Sequence, residues 1–420
     1  MTTETKRDDV IIIGGGIGGL AFALHLHAKG IPCRIFEAVS EIGTVGAGIN
    51  ILPHGVRDLA ALGLLPALDE VGIRTKDASY FNKWGQHIYT EPAGLDAGYE
   101  FPQFSIHRGD LQQVLLKAVL ERLGPDAVKT GYRCAGVEQD EALVTVHFID
   151  PSGAALPPVT GAIAVGADGI KSVVRKQFYP DEGDPVYSGL MIWRGVLPYK
   201  PFLSGANTIR AGWMDVGKIM VYPIRNNIDG KGTQLMNWVA TQERPKPESY
   251  DWNTVAKLED FFEPYKDWHF DWLNVPDLLQ KTPKPLAFPM VDRDPVATWT
   301  FGRVTLLGDA AHPMYPRGSN GAGQSIIDGR VLAERLGEMG MTPSALQSYD
   351  VERVEKTSKV VLMNRKNPPD AILREAHERT GGQPFNHIHD VISAEEMAEI
   401  SASYKRVAGF HQDQLAKVAP

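Results

Sequence analysis

Cysteine is nearly absent from this 420-residue chain, with Cys33 and Cys134 its two thiols. So few cannot build a disulfide framework or a cysteine metal cluster, and no metal is expected. A reduced, cytoplasmic setting is. Basic excess is missing as well: 43 Lys plus Arg stand against 51 Asp plus Glu, a net charge of −8. That balance excludes the basic footprint of a nucleic-acid binder. No apolar run approaches the roughly 20 residues that cross a bilayer. The opening MTTETKRDDV lacks the apolar middle of a secretory signal. Internal repeats, low-complexity blocks and a G-x-S-x-G nucleophile elbow are also lacking. What remains is an ordinary globular composition, 43% hydrophobic and 22% charged, long enough for roughly two or three domains.

Glycine is not scarce where it matters. Val10–Ile13 reads as a buried strand running into Gly14, Gly16 and Gly19, the G-x-G-x-x-G spacing, with Gly18 inside it. LAFALHLHAKG then carries a helical period and ends at Gly30, and PCRIFE forms a second strand closing on Glu37. Strand, glycine turn, helix, strand and acid together make a dinucleotide site. The first glycine allows the tight turn, the second lets bare backbone approach a pyrophosphate, and the third packs helix on strand. Glu37 would accept from ribose hydroxyls and repel a 2′-phosphate, which argues against NADP in this loop. NAD and FAD both remain open from these residues alone.

Further along, FSIHRGDLQ places Arg108 and Gln112 between a strand and a long helix. AIAVGADGIKSVVRKQF gives a strand, Asp168-Gly169, and a helix with Arg175. Between about 185 and 285 the character changes: Trp193, Trp213, Trp238, Trp252, Trp268 and Trp272 lie among short alternating runs that read as antiparallel strands. A strand, a loop and a long helix return near 300 in RVTLLGDAAHPMYPRGSNGAGQSIIDG.

GRVTLLGDAAH resembles the second FAD fingerprint of flavoprotein monooxygenases, with Asp309 in the place that binds the ribityl chain. VGADGIKSVVR resembles the Asp-Gly motif of the same family. With the first glycine turn, the chain from about Val10 to about Arg365 is similar to class A flavin-dependent aromatic hydroxylases of the para-hydroxybenzoate and salicylate hydroxylase type. GAGINILPHGV, MIWRGV, FPMVDRDP and GDAAHPMYPRGSNGAGQ look closest to the phenazine-modifying branch, which is 5-methylphenazine-1-carboxylate 1-monooxygenase-like. Two departures stand out. Gly43 falls near the point where many relatives carry an arginine, and SNGAG replaces the family's G-Q-G-x-N beside the flavin ring.

The resemblance implies an α/β fold: a discontinuous Rossmann-like βαβ FAD domain (8–75, 101–180 and 286–365) with an inserted mixed-sheet substrate domain (76–100 and 181–285). A C-terminal helical segment (366–420) would follow. It implies non-covalent FAD held by Gly14, Gly16, Gly18, Gly19, Glu37, Arg108, Gln112, Asp168 and Asp309, with the helix start at Gly321, Ala322 and Gly323. NAD(P)H would be a transient co-substrate, because only one G-x-G-x-x-G occurs. The implied reaction is O₂-dependent hydroxylation of a planar aromatic or N-heteroaromatic through a C4a-hydroperoxyflavin. The substrate could be a carboxylate, with or without its loss.

Reduced flavin is anionic, so the Gly321 helix start would stabilise it and Pro316 would stiffen the approach. Trp193, Tyr222, Trp238, Phe288, Pro289 and Tyr315 are candidates for a flat substrate wall. Tyr222 and His54 are candidates for a base, and Arg194 and Arg225 for a carboxylate clamp. Epoxidation or Baeyer–Villiger oxygenation on the same fold is the alternative, with a non-catalytic FAD-binding protein a more remote one. A monomer or homodimer is expected, with no nucleic-acid or membrane partner.

Overall fold

The computed structural model describes residues 9–44, 46–247, 254–366 and 368–415; Trp252 lies outside them. Four strands from the first half of the sequence and two from near residue 300 build a sheet whose spatial order is Thr300–Phe301, Val304–Leu306, Ile163–Gly166, Val10–Ile13, Cys33–Glu37, Val128–Thr130. All pairings within it are parallel except the Thr300–Phe301 edge. Val10–Ile13 sits at its centre and is fully buried, as its unbroken aliphatic run requires. The Ile17–Ala28 helix follows directly, and Gly30 at φ +70° terminates it. The long Gly321–Met339 helix packs beside Ile17–Ala28, and Pro343–Lys366 packs on that in turn.

The second layer is a large mixed sheet in the order Thr254–Val255, Leu286–Asp292, Val186–Tyr199, Gln234–Glu243, Gly217–Arg225, Asn207–Trp213, Asp77–Phe81, His87–Pro92. Leu286–Asp292 pairs with Val186–Tyr199 and so belongs to this sheet. That corrects the domain boundary expected at 286, which falls after Asp292. The reason is hydrogen bonding between strands almost a hundred positions apart, which a local pattern does not reveal. Gly48–Ile51, Gln103–His107 and Gly72–Thr75 form a small sheet that joins the two layers. After residue 370, the Ala371–Thr380 and Ala394–Ala408 helices pack over Tyr80 and Ile88 at the edge of the large sheet.

Strand alternation gives the large sheet two unlike faces. Trp193, Trp238, Ala240, Ile219 and Val221 point to one face and join Phe261, Tyr265 and Trp268 in a dry aromatic core. Arg194, Val239, Met220 and Arg210 stand side by side on the other, in one row across four strands. That second face meets the nucleotide layer.

Candidate active site

The parallel strands present their carboxyl ends at the glycine turn, where such sheets bind ligands. Each glycine there answers to a separate constraint. Gly14 has φ +116°, and a Cβ on it would meet Ala167 O at 2.3 Å. A Cβ on Gly19 would meet Gly14 O at 2.1 Å. Over Gly16 nothing lies within 4 Å of an added Cβ, so open space adjoins bare backbone. Gly18 instead packs towards Leu307 and Ser325. The Ile17–Ala28 helix has no side-chain cap, leaving its first N–H groups for an anion.

Around this turn, Glu37 accepts from Gly15 N (2.7 Å) and Val39 N (3.0 Å). Gln112 Nε2 donates to Gly15 O at 2.8 Å. Arg108 is exposed, its stem against Gly46, and its charge acts on both Asp309 and Arg194. Asp168 divides its carboxylate: Oδ2 caps the next helix at Val173 N (2.8 Å), while Oδ1 is buried without a partner. Burial pushes its carboxyl up despite hydrogen bonds from Ser172 and Val173. Arg175 is no free phosphate ligand. It is 2% exposed, pairs with Glu182, and donates to the carbonyls of Ala310 (3.1 Å) and Ala311 (2.5 Å). It therefore braces the turn that carries Asp309.

Asp309 opens into the cleft yet is ringed by protein, and this enclosure raises its carboxyl against the pull of His312 and Arg108. A Cβ on Gly321 would lie 3.8 Å from Asp309 Oδ1, so the helix start and the acid face each other. Gly321–Met339 also begins without a side-chain cap. Asn320 turns away and donates to Gly318 O (3.0 Å) and Tyr404 Oη (2.9 Å). The leading N–H groups at Gly321, Ala322 and Gly323 stay available to a ligand. Pro316 is exposed on the approach. Beneath, buried Asp328 accepts from Gly308 N (3.1 Å), His312 Nε2 (2.5 Å) and Arg353 Nε (2.7 Å). Burial alone would raise Asp328, but His312 and Arg353 bring its carboxyl below the usual range. Sequence reasoning passed over Asp328 and Arg353. The signal was present: a charge inside each of two otherwise apolar helix faces.

The open space over Gly16, the orphaned Oδ1 of Asp168, the cleft-facing Asp309 and the uncapped Gly321 turn fit FAD. They offer backbone to phosphates, acids to hydroxyls, and N–H groups to an anionic ring edge.

Of the six wall candidates, Tyr222, Phe288 and Tyr315 lie on the side of the large sheet that faces this cleft. Trp193, Trp238 and Pro289 do not, which corrects their expected role. Trp193 and Trp238 stack on Phe261, and Trp238 Nε1 donates to Thr282 Oγ1 at 2.8 Å. Pro289 opposes Met191, which shares the Trp193 face. The proposed bases fare no better. Tyr222 donates to Gly48 O (2.8 Å), and burial pushes its hydroxyl pKa well up. His54 lies on the other flank of the Gly321 helix, against Gly323, and burial lowers its pKa to about 4.

Arg225 is engaged by Asp110 at 2.5 Å. Arg194 has no hydrogen bond or ion pair among the described residues. Its Nε is buried and unpaired, and its guanidinium lies 4.4 Å over the Phe288 ring. Burial lowers its pKa, and the like charge of Arg108 adds to that.

Comparison with known proteins agrees with FAD as the cofactor. The FAD binding domain family matches residues 7–364. A phenazine 1,6-dicarboxylic acid hydroxylase from Lysobacter antibioticus is 41% identical over 372 residues, covering 87% of this chain and 91% of that protein. A 3-hydroxybenzoate 6-hydroxylase from Polaromonas naphthalenivorans is 33% identical over 365 residues, covering 85% and 86%. A salicylate hydroxylase substrate complex superposes with a TM-score of 0.73 at 22% identity, covering 99% of this chain and 98% of that one. Among the described residues no helix is long and apolar enough to cross a membrane.

Proposed function

The chain belongs to the FAD binding domain family, as an FAD-dependent aromatic hydroxylase, and from that premise we propose that it hydroxylates a planar aromatic or N-heteroaromatic carboxylate held by Arg194. The observation that carries this reading is a half-buried guanidinium without a partner, its Nε fully buried, on the cleft-facing side of the large sheet. Leaving such a charge unpaired is costly, and a bidentate carboxylate supplies both charge and geometry.

The group these residues would hold, FAD, would supply hydride-accepting and O₂-activating chemistry, with NAD(P)H as the reductant. The chain's own residues hold, orient and shield. The glycine turn and Arg108 would take the phosphates, and Glu37 the adenosine ribose. Asp309 and the free oxygen of Asp168 would take hydroxyls of the ribityl chain. The uncapped N–H groups at Gly321–Gly323 would stabilise negative charge at the ring edge, because a fixed helix dipole needs no reorganisation. Phe288 and Tyr315 would flank the substrate, each ring contact worth roughly 0.5–1.5 kcal/mol beyond area. A cytoplasmic setting belongs to the same reading, supported by the free thiols of Cys33 and Cys134.

The test is NAD(P)H consumption and product mass with the purified, flavin-loaded protein. Aromatic carboxylates should stimulate consumption several-fold and gain one oxygen, whereas their neutral amides should not. Equal stimulation by acid and amide would remove Arg194 from the recognition of substrate.

A further inference from the structure

The row that begins at Arg194 does not end there. Arg194 opposes Val239, Val239 opposes Met220, and Met220 opposes Arg210. Residues in register share a face, and three strand spacings put the two arginines about 14 Å apart at the backbone. Between them Val239 and Met220 are half-buried, while their strand neighbours Trp238, Ala240, Ile219 and Val221 are fully buried. The strip between the two arginines is therefore accessible on this face alone.

Arg210 repeats the peculiarity of Arg194. It is 8% exposed and has no ion pair or hydrogen bond among the described residues, resting 5.4 Å over the Tyr80 ring. The hydroxyl of Thr208, one step along the same strand face, is buried and unpartnered. Both line a cavity of about 60 Å³ together with Ser319 and Tyr404, room enough for a group of carboxylate size.

The surrounding charge is lopsided. Asp370 pairs with Lys218 and, at 3.4 Å, with Arg317, whose Nε is buried and unpartnered. Burial would raise Asp370, but Lys218, Arg317 and Arg210 together bring it down to about 2. One carboxylate thus faces three cations. Glu91, at the rim of the cavity, is already held by Lys405 (2.8 Å) and Ser401.

We propose that Arg210, with Arg317 beside it, forms a second anion subsite, so that the substrate is a planar aromatic dicarboxylate gripped at both ends. This rests on the hydroxylase reading above and adds the second acid group. Arg194 takes one carboxylate, the Val239–Met220 strip underlies the rings, and Arg210 takes the other.

Binding to the oxidised, flavin-loaded enzyme, read from the perturbation of its visible spectrum, separates the possibilities without turnover. The probes are phenazine-1,6-dicarboxylate, its monoamide and phenazine-1-carboxylate. Wild type should bind the diacid at least 30-fold more tightly than either mono-acid. Arg210→Gln should erase that preference and leave mono-acid affinity within threefold, and Arg194→Gln should weaken all three. Equal affinity for diacid and mono-acids in wild type would overturn the second subsite, and this comparison needs no variant to fold. A uniform loss of all three affinities in Arg210→Gln would overturn it too. If no probe perturbs the spectrum or stimulates NAD(P)H oxidation, the aromatic-acid reading itself falls and the subsite with it.

Discussion

The two faces of the large sheet come from the same strands and share almost no chemistry. On one, Trp193 and Trp238 stack against Phe261 at 5.6 and 5.5 Å, within a largely buried apolar cluster. On the other stand Arg194, Arg210, Lys218, Tyr222 and Asn237, with an accessible strip among them. One face is spent on stability, while the other holds poorly compensated charge that stability alone does not explain. Adjacent residues such as Trp193 and Arg194 can therefore differ completely in what they do.

The sharpest way to break this division is a substitution on each side. Trp238→Ala should cost about 3–5 kcal/mol of unfolding free energy in urea, because the cavity it leaves cannot collapse in a stacked core. Arg194→Gln should leave the urea midpoint unchanged or higher, yet raise KM for an aromatic acid about 100-fold, or about 3 kcal/mol. If Trp238→Ala shifts KM with little loss of stability, the assignment of faces is wrong.

A pH titration of stability probes the charged face next. Asp370 is depressed to about 2 by Lys218, Arg317 and Arg210. Its contribution is therefore complete above the unfolded value of about 4 and is lost as pH falls from there through 2. The loss should be on the order of 2 kcal/mol. In Asp370→Asn that segment of the acid-unfolding curve should flatten. The smallest effect is expected at Tyr222, whose hydroxyl only donates to Gly48 O. Tyr222→Phe should cost about 1 kcal/mol of stability and leave the pH profile of kcat unmoved. A displaced profile would restore Tyr222 as a proton carrier.

Much of the nucleotide half was legible in the sequence because its signals are local. The turn from Gly14 to Gly19, Glu37 at the next strand end, and Asp309 after Val304–Leu306 each sit within a few residues of the element that defines them. Of the substrate half, the sequence showed antiparallel strands and an abundance of tryptophan but not which way the tryptophans point. Arg210 could have been flagged as a charge inside the strand NTIRAGW, though its surroundings could not. Lys218 and Asp370 are 152 positions apart and meet only because the C-terminal helices fold over the sheet edge. Tyr404 likewise occupies the space that a Cβ on Gly318 would need, 1.4 Å from its hydroxyl, and so pins the loop beside Asp309 from the far end of the chain.

By itself, the sequence determined the dinucleotide turn, the acids around it and the family's cofactor, since backbone conformation and helix-end electrostatics act over a few residues. Only the tertiary structure decided which face of the large sheet each residue takes. A strand's side chains alternate with period two, so a residue's face is set by register with strands far away in the sequence, and one step along the chain exchanges a packed tryptophan for an unpaired arginine.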